Sequence, residues 1–316
     1  MLDKKKQTLY TVLSVILIIS MAAFLLQGCG NAAKPVSGSG FPMQITDDLG
    51  RVVTIKEAPQ RIVSLAPAMT EILFALDLGD KVVGVTNYCN YPDEAKTKPK
   101  VGGFSTPNAE LVVTAKPDLV LATKINENFI PQLESAGLTV VVIESLDMVQ
   151  VLEDIKLVGK FTGAAEAANK LTADMQKRID SITAKISRLP DEQKPAVYFE
   201  IWPDPLTTGG SKSFVNSLIT MAGGKNIAGD VEQDWVNLSP EMVLARDPKV
   251  AILCHHGSSL QTVEEFKSRK GWEQVSAIRN DRVGLVVDEN TVVRPAPRMV
   301  EGFEFMAKLF HPDLIK

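Results

Sequence analysis

Aromatic side chains are the residues of this sequence best suited to binding a small molecule. Phe, Trp and Tyr make up only 6% of the 316 residues, yet Tyr88, Tyr91, Phe104, Trp202 and Trp235 all fall in loops at the ends of predicted strands. Rings grouped at one edge of a fold can grip a flat, partly apolar ligand while a few polar groups orient it. The alternative is that some of these rings only pack against the edges of the fold.

Other candidate binding residues lie in the same kind of loop. They are Leu206, Asn290 and Arg294, together with the adjacent pair His255 and His256. A first-row metal ion usually needs three or four spaced ligands, which two adjacent histidines do not supply. One histidine could still act as an axial ligand to a metal that a macrocycle already holds. Ordinary loop polarity is the alternative for both histidines.

The sequence contains no catalytic motif of the common hydrolase, metalloprotease or nucleotide-binding kinds. GxSxG, HExxH and GxxxxGK[ST] do not occur, so no enzyme class is indicated. A formal net charge of −4 argues against nucleic acid or an anionic membrane surface as the main partner. Cys89 and Cys254 lie far apart in sequence and in different predicted lobes, so no disulfide is predicted. Cys89 could contact a bound metal, but a structural thiol is the favoured reading.

The first residues have the features of an export signal. A basic start at Lys4–Lys6 precedes an apolar run, Leu9–Leu26, which predicts a secretory signal peptide over residues 1–28. Cys29 follows Leu-Gln-Gly and resembles the bacterial lipobox, in which the cysteine sulfur receives a diacylglycerol. An uncleaved anchor helix is the alternative. Residues 29–41 are rich in Gly, Ser and Ala, which predicts a flexible tether outside the cytoplasm.

A long amphipathic helix divides the rest of the chain. Apolar residues recur at steps of three and four from Ala164 to Leu189, which predicts one helix that Pro190 ends. Globular sequence on both sides indicates a rigid connector, although a lone amphipathic arm would give the same pattern. We therefore assign an N-terminal lobe to residues 42–162, the connecting helix to 163–190 and a C-terminal lobe to 191–316.

Each lobe alternates short β-rich runs with helical runs. The predicted strands are Arg61–Leu65, Val82–Thr86, Asp118–Ala122, Thr139–Ile143, Ala196–Ile201, Val250–Cys254 and Arg282–Val287. The helices between or after them are Met69–Leu76, Ala109–Ala115, Phe129–Ser135, Val149–Lys160, Phe214–Met221, Pro240–Arg246, Val263–Arg269 and Arg298–Phe310. This alternation predicts two Rossmann-like α/β lobes with parallel sheets. A hairpin over Met43–Ile55 precedes them. Ligands of such sheets bind beyond the carboxyl ends of the strands, which here predicts a cleft between the lobes.

Two segments, one in each lobe, align without a gap. Asn108–Thr123 and Ser239–Cys254 both begin with a helix N-cap residue and both carry a glutamate two places later, Glu110 or Glu241. The match suggests a duplicated lobe, although helix–turn–strand units also look alike by chance. A glutamate in the first turn of a helix favours the helix dipole and needs no partner.

Two sets of motifs resemble one family, the periplasmic binding proteins for cobalamin, ferric siderophores and haem. The first lobe carries RIVSLAPAMTEILFALDLGDKVVGVTNYCNYP, PKVGGF and NAELVVTAKPDLVLA, and the second carries WPDPLTTGG, SFVNSLITMAGGKNIAGD and SPEMVLARDP. The likeness runs from about Ile45 to the C-terminus. It implies two Rossmann-like lobes on one connecting helix, limited hinge motion and no enzymatic activity. NYCNYP, WPDPLTTGG and the Asp234-Trp235 pair most resemble cobalamin binders.

The resemblance also implies roles for individual residues. By motif position the expected ligand contacts are Tyr88, Phe104, Leu206, Trp235 and Arg294. Trp202 and Asn290, which follow predicted strands, are added as expected contacts. Thr123 stands where some cobalamin binders carry tryptophan, and Asn290 stands where an acidic residue can occur. The motifs taken together imply cobalamin or a related corrinoid as the expected cargo, with haem or a ferric siderophore as alternatives. No resident cofactor is expected.

The family also implies partners and a location. Glu110 and Glu241 match positions that dock onto arginines of a dimeric ABC permease, which works with a cytoplasmic ATPase. The expected protein is a monomeric receptor, lipid-anchored through Cys29 on the extracytoplasmic side of the membrane. Two rival functions stay open at this point. One is a metallochelatase-like enzyme that uses His255 or His256, and the other is a structural or signalling lipoprotein that has lost its ligand.

Overall fold

Two parallel sheets organise this computed structural model, which describes residues 40–254 and 262–316. The first lobe contains the strands β1 (Met43–Thr46), β2 (Val52–Ile55), β3 (Ile62–Ser64), β4 (Val82–Val85), β5 (Leu119–Ala122) and β6 (Val140–Val142). Its helices are α1 (Pro67–Ala75), α2 (Asp93–Lys96), α3 (Ala109–Thr114), α4 (Ile130–Ser135) and α5 (Met148–Thr162). Short 3-10 turns at Gly79–Lys81 and Lys124–Phe129 complete it.

The first lobe has the predicted architecture. β1 and β2 form the antiparallel hairpin, and the parallel sheet has the order β4-β3-β5-β6. All four residues of β5 are buried, as expected for a central strand with helices on both faces. The strands are one or two residues shorter than predicted.

The predicted connector is present as α6 (Ala165–Ile186), a single helix of 22 residues. Its buried stripe includes Ala168, Met175 and Ile182, and it packs against α5 on one side of the chain and against the C-terminal helix on the other. The helix ends three residues earlier than predicted, because a proline at position 190 disfavours helical geometry in the residue before it.

The second lobe contains more strands than the sequence indicated. Its strands are β7 (Ala196–Glu200), β8 (Trp202–Pro203), β9 (Leu206–Gly209), β10 (Lys225–Asn226), β11 (Trp235–Asn237), β12 (Val250–Leu253) and β13 (Val283–Leu285). Its helices are α7 (Phe214–Met221), α8 (Pro240–Arg246), α9 (Val263–Lys267), α10 (Ser276–Arg279), α11 (Asn290–Val293) and α12 (Met299–Phe310), after a 3-10 turn at Asp191–Gln193.

The parallel sheet of the second lobe has the order β10-β7-β12-β13, and a separate antiparallel sheet has the order β11-β9-β8. The prediction that Trp202, Leu206 and Trp235 lie in loops is therefore wrong, because all three lie on strands of the antiparallel sheet. These strands have two to four residues and give no clear alternation in the sequence. Asn290, also expected in a loop, begins the short helix α11.

Candidate functional site

The order of the strands defines where a ligand would bind in each lobe. In the parallel sheet of the first lobe, β3 is the first strand in the sequence. β4 then lies on one side of it and β5 on the other. The second lobe repeats this order with β7, β10 and β12. The carboxyl ends of β3 and β5, and those of β7 and β12, therefore flank the topological switch points where α/β folds bind ligands.

Large apolar side chains are exposed near the ends of several strands in both lobes. Tyr88 follows β4 and is 63% exposed, while Trp202, directly after β7, is 38% exposed and Trp235 is 44% exposed. Other exposed apolar side chains that follow strand ends in the two parallel sheets are Ile125, Leu146 and Val287. Exposed rings and aliphatic groups at the ends of two parallel sheets form a surface suited to a flat, partly apolar molecule.

Hydrogen bonds hold two of the predicted ring residues. The Trp202 indole Nε1–H donates to the carbonyl oxygen of Asp204 at 2.9 Å, which fixes the orientation of the ring. Phe104 is partly buried, and its carbonyl oxygen accepts from Nδ2 of Asn126 at 2.6 Å. Trp235 pairs through its backbone with Gly209 in the antiparallel sheet. The Trp202 ring and the backbones of Phe104 and Trp235 are thus held by contacts within the chain.

Leu206 does not share the exposed surface of the tryptophans. It is 8% exposed and lies in the hydrophobic core of the second lobe with Tyr198 and Val236. It also reaches a cavity of about 380 Å³, which contains none of the other predicted contact residues. The lining of that cavity is Pro203, Asp204, Pro205, Leu206, Leu238, Pro240, Arg269 and Trp272.

Arg294 makes contacts that the sequence did not predict. Its Nη1 donates to Oε1 of Glu71 at 2.8 Å, and its Nη2 donates to the carbonyl oxygen of Tyr88 at 3.3 Å. Glu71 lies on α1 in the first lobe, so Arg294 links the two lobes. Asn290 is held within the second lobe, where its Nδ2 and its backbone N–H donate to Oδ1 of Asp288 at 2.7 and 3.0 Å.

Two residues that the sequence reading missed, Glu71 and Arg298, complete this group. Arg298 donates from Nε and Nη2 to the Glu71 carboxylate, both at 2.9 Å, and it also pairs with Asp288. Its guanidinium lies 3.7 Å from the centre of the Tyr91 ring. A lone carboxylate inside the apolar run of α1 was the available signal, because a buried glutamate is rarely found without a partner.

Carboxylates lie at the same edge of the first sheet. Burial raises the pKa of Glu144, which follows β6, and the negative charges of Asp48 and Asp234 add to this effect. Asp234 precedes β11 in the second lobe, so carboxylates of both lobes act on the pKa of Glu144. The Glu144 carboxylate accepts from the backbone N–H of Lys124 at 2.8 Å. Thr123 lies at the end of β5. Its buried Oγ1 has no hydrogen-bond partner among the described residues.

Glu110 and Glu241 occupy equivalent positions. Both are exposed in the first turn of their helix, after an N-cap residue whose side chain is bonded to the backbone. Oδ1 of Asn108 accepts from the N–H of Leu111 at 3.1 Å, and Oγ of Ser239 accepts from the N–H of Met242 at 3.3 Å. Hydrogen bonds from its own backbone N–H and from Ser239 lower the pKa of Glu241, so its charge persists at neutral pH.

An exposed apolar side chain follows each of these glutamates, Leu111 in α3 and Met242 in α8. The matched segments predicted from the sequence therefore present the same pair of surface groups, a carboxylate and an aliphatic side chain.

Several predicted residues lie outside the described part of the chain. They are Cys29, with the signal segment and most of the tether, and the pair His255 and His256. Of the other two cysteines, both free, Cys254 is fully buried and burial raises the pKa of its thiol. Cys89 is buried, as a structural thiol would be, and Thr70 and Thr86 lie within hydrogen-bond distance of its sulfur. Among residues 40–254 and 262–316, no helix is long and apolar enough to cross a membrane.

Comparison with known proteins agrees with this geometry. The sequence profile of the periplasmic binding protein family matches residues 62–287. The chain is 36% identical over 308 residues to the ABC transporter substrate-binding lipoprotein YvrC of Bacillus subtilis, covering 94% of this chain and 96% of the relative. It is 32% identical over 286 residues to the cobalamin-binding protein of Halobacterium salinarum, covering 87% and 76% respectively.

A solved structure shows the same fold. The periplasmic haem-binding protein RhuT from Roseiflexus sp. RS-1 superposes with a TM-score of 0.70 at 26% identity, over 80% of this chain and 98% of that structure. The two-lobed α/β fold with one connecting helix is thereby confirmed. The chain therefore belongs to the periplasmic binding protein family, and it is a substrate-binding protein of an ABC importer in the cobalamin, siderophore and haem class rather than an enzyme.

Proposed function

We propose that this protein is the lipid-anchored, extracytoplasmic receptor of an ABC importer and that its cargo is cobalamin or a related corrinoid. The observation that carries the proposal is the exposure of Tyr88, which follows β4, and of Trp202 and Trp235, which lie on the antiparallel sheet of the second lobe. A corrin ring is flat and apolar on its faces, so stacked aromatic and aliphatic side chains suit it. The cobalamin-binding relative from Halobacterium salinarum supports the same cargo.

The charges around the site favour a neutral cargo with amide groups over an anionic one. Arg294 and Arg298 are paired with Glu71 and Asp288, so their charge is already balanced within the chain. Glu144 places a carboxylate at the cleft edge, where it can accept hydrogen bonds from the amide N–H groups of a corrin side chain. The carboxylates of haem and many ferric siderophores would meet repulsion there, which Lys124 beside Glu144 only partly offsets.

Docking on the permease is the second part of the proposal. Glu110 and Glu241 each present a carboxylate with an exposed aliphatic neighbour, Leu111 or Met242, from the same point of a matched helix. Two equivalent sites on one monomeric receptor suit a permease made of two subunits, each with arginines. Cys29 would hold the receptor at the membrane through its lipid, which raises its effective concentration near the permease.

The cargo is tested by titrating the purified, detergent-solubilised protein with cyanocobalamin, haemin and a ferric siderophore. We expect saturable one-to-one binding of cyanocobalamin, measured by calorimetry and by quenching of tryptophan fluorescence. Haemin should bind more weakly, because the arginines are already paired. Tight binding of haemin with no binding of cyanocobalamin would replace the corrinoid by haem, and no binding of either would overturn the cargo assignment.

The docking role is tested in cells that depend on imported cobalamin. The double variant E110A/E241A should lose uptake while the purified protein still binds cargo with unchanged affinity. Lost binding would contradict a docking role. For the anchor, C29S should abolish labelling with a radioactive fatty acid.

A further inference from the structure

Glu71 is a buried carboxylate that takes hydrogen bonds from the opposite lobe. It is 2% exposed, lies on α1 of the first lobe, and accepts one hydrogen bond from Arg294 and two from Arg298. Both arginines lie in the segment between α11 and α12 of the second lobe. Separating a buried carboxylate from its arginines leaves a buried charge without a partner, which is costly in free energy. The contact therefore resists separation of the lobes.

The same two arginines also hold the loop after β4. Arg294 donates to the carbonyl oxygen of Tyr88, and Arg298 stacks on the ring of Tyr91. Because Tyr88 is one of the exposed rings of the proposed cargo site, the group of Glu71, Arg294 and Arg298 connects lobe separation with the place of a cargo contact. We call this group the interlobe ion cluster.

We propose that Glu71 is a positioning residue for cargo binding. By fixing Arg294 and Arg298 it sets the width of the cleft and holds the Tyr88–Tyr91 loop against the second lobe. It does not touch cargo itself, and the proposal rests on the cargo site described above. The cluster gives the cleft its width before cargo arrives, so less ordering remains to be done on binding.

The experiment compares two buried glutamates. E71Q removes the negative charge of the interlobe ion cluster and one of its two acceptor oxygens, whereas E200Q makes the same change at a buried glutamate that pairs with Arg269 inside the second lobe. Spin labels at Q132C and Q274C, exposed positions in different lobes, report the distance between the lobes by pulsed electron resonance. The labelled protein carries C29S so that this cysteine takes no label. Cys89 and Cys254 can stay, because they are buried.

We expect E71Q to broaden the distance distribution without cargo and to weaken cyanocobalamin binding about tenfold. E200Q should lower the unfolding temperature but keep the wild-type distance distribution and keep the affinity within twofold. An unchanged distance distribution in E71Q would overturn the proposal. So would equal broadening in E200Q, because the effect would then be general loosening.

A second variant keeps the test decisive if E71Q does not fold. R294Q leaves Glu71 paired with Arg298 but releases the Tyr88 carbonyl oxygen, so it should broaden the distribution less than E71Q and still fold. An R294Q protein with the wild-type distribution would also overturn the proposal. The distances are measured without cargo, so a wild-type protein that binds no corrinoid would refute the cargo assignment while leaving the role of Glu71 to be decided by the distances.

Discussion

The first lobe carries its candidate contact rings on loops, with Tyr88 after β4 and Phe104 before α3, whereas the second lobe carries Trp202 and Trp235 on short strands. Backbone pairing with β9 fixes the two tryptophans. Side-chain donors to main-chain oxygens fix the first-lobe residues instead. The tryptophans of the second lobe thus depend on backbone pairing between strands close in sequence. The first-lobe residues depend on hydrogen bonds from the side chains of Asn126 and Arg294.

The two lobes also bury carboxylates in different surroundings. In the first lobe Asp154 accepts a hydrogen bond from the Ser145 hydroxyl at 2.6 Å, and burial raises its pKa to about 7. In the second lobe Glu200 accepts two bonds from the guanidinium of Arg269, both at 2.6 Å. That guanidinium lies 4.9 Å from the ring centre of Phe266 and 4.8 Å from the ring centre of Trp272. The negative charge of Glu200 is therefore balanced by Arg269, whereas burial disfavours the charged form of Asp154.

The largest effect is expected from R269M, which removes the cation that Glu200 faces. Breaking a buried ion pair from one side costs about 3 to 5 kcal/mol of unfolding free energy. Urea unfolding should show this loss. K96M, which removes an exposed pair with Asp93, should leave the urea midpoint unchanged. An R269M protein as stable as the wild type would mean that the pair has no net role in the second lobe.

The rings of the second lobe should matter most for cargo. W235A should weaken cyanocobalamin binding by about ten- to a hundredfold, because large rings dominate binding surfaces. Y88A should have a smaller effect, since the loop of the first lobe is held from a distance. Titration by calorimetry measures both, with M242A as the control that leaves binding unchanged. Equal losses in W235A and Y88A would remove the contrast between the two halves of the site.

D154N tests the suppressed charge of the first lobe. The pKa of Asp154 is raised in the folded protein, from 3.8 to about 7. Its contribution to stability is therefore present below about pH 4 and is lost as the pH rises through 7. At pH 8 the variant should be more stable than the wild type by about 1 to 3 kcal/mol, since one pKa unit corresponds to about 1.4 kcal/mol. Urea unfolding from pH 4 to 8 should show a flatter profile for D154N.

The matched control for this pH profile lies in the second lobe. The side-chain hydrogen bond from Lys249 lowers the pKa of Asp247 to about 2, so its contribution is present above pH 4 and is lost as the pH falls towards 2. D247N should thus destabilise the protein at pH 8, where D154N stabilises it. The same sign for both variants would contradict the assigned environments.

The smallest effect should come from the helix caps, where the lobes are alike. N108A and S239A each remove a side chain that accepts from the third backbone N–H of its helix. Each should lower the unfolding free energy by about 1 kcal/mol. Thermal unfolding of the two variants measures the difference, and a loss in only one lobe would show that the matched segments are not energetically equivalent.

The sequence predicted most of what depends on local periodicity. Helices such as α6, α7 and α8 have strong apolar spacing and clear ends, so their bounds agree within a few residues with the structure. The antiparallel sheet of the second lobe was missed because strands of two to four residues are too short to show alternation.

The contacts of the site were harder to predict than the elements. Glu71 and Arg294 are 223 residues apart, and no spacing rule relates such positions. Leu206 matched a ligand-contact motif, but the side chain lies in a core that only the three-dimensional pairing of β9 reveals. Tyr88, Trp202 and Trp235 have the exposure that ligand contacts require, and their role stays a prediction.

The exposed rings and the two matched glutamates are carried by different elements. Tyr88, Trp202 and Trp235 lie on the loop after β4 and on β8 and β11, while Glu110 and Glu241 lie on α3 and α8. Substitutions in the rings therefore leave the first turns of both helices intact. Under the proposed function, cargo contacts and permease docking can therefore change independently of each other.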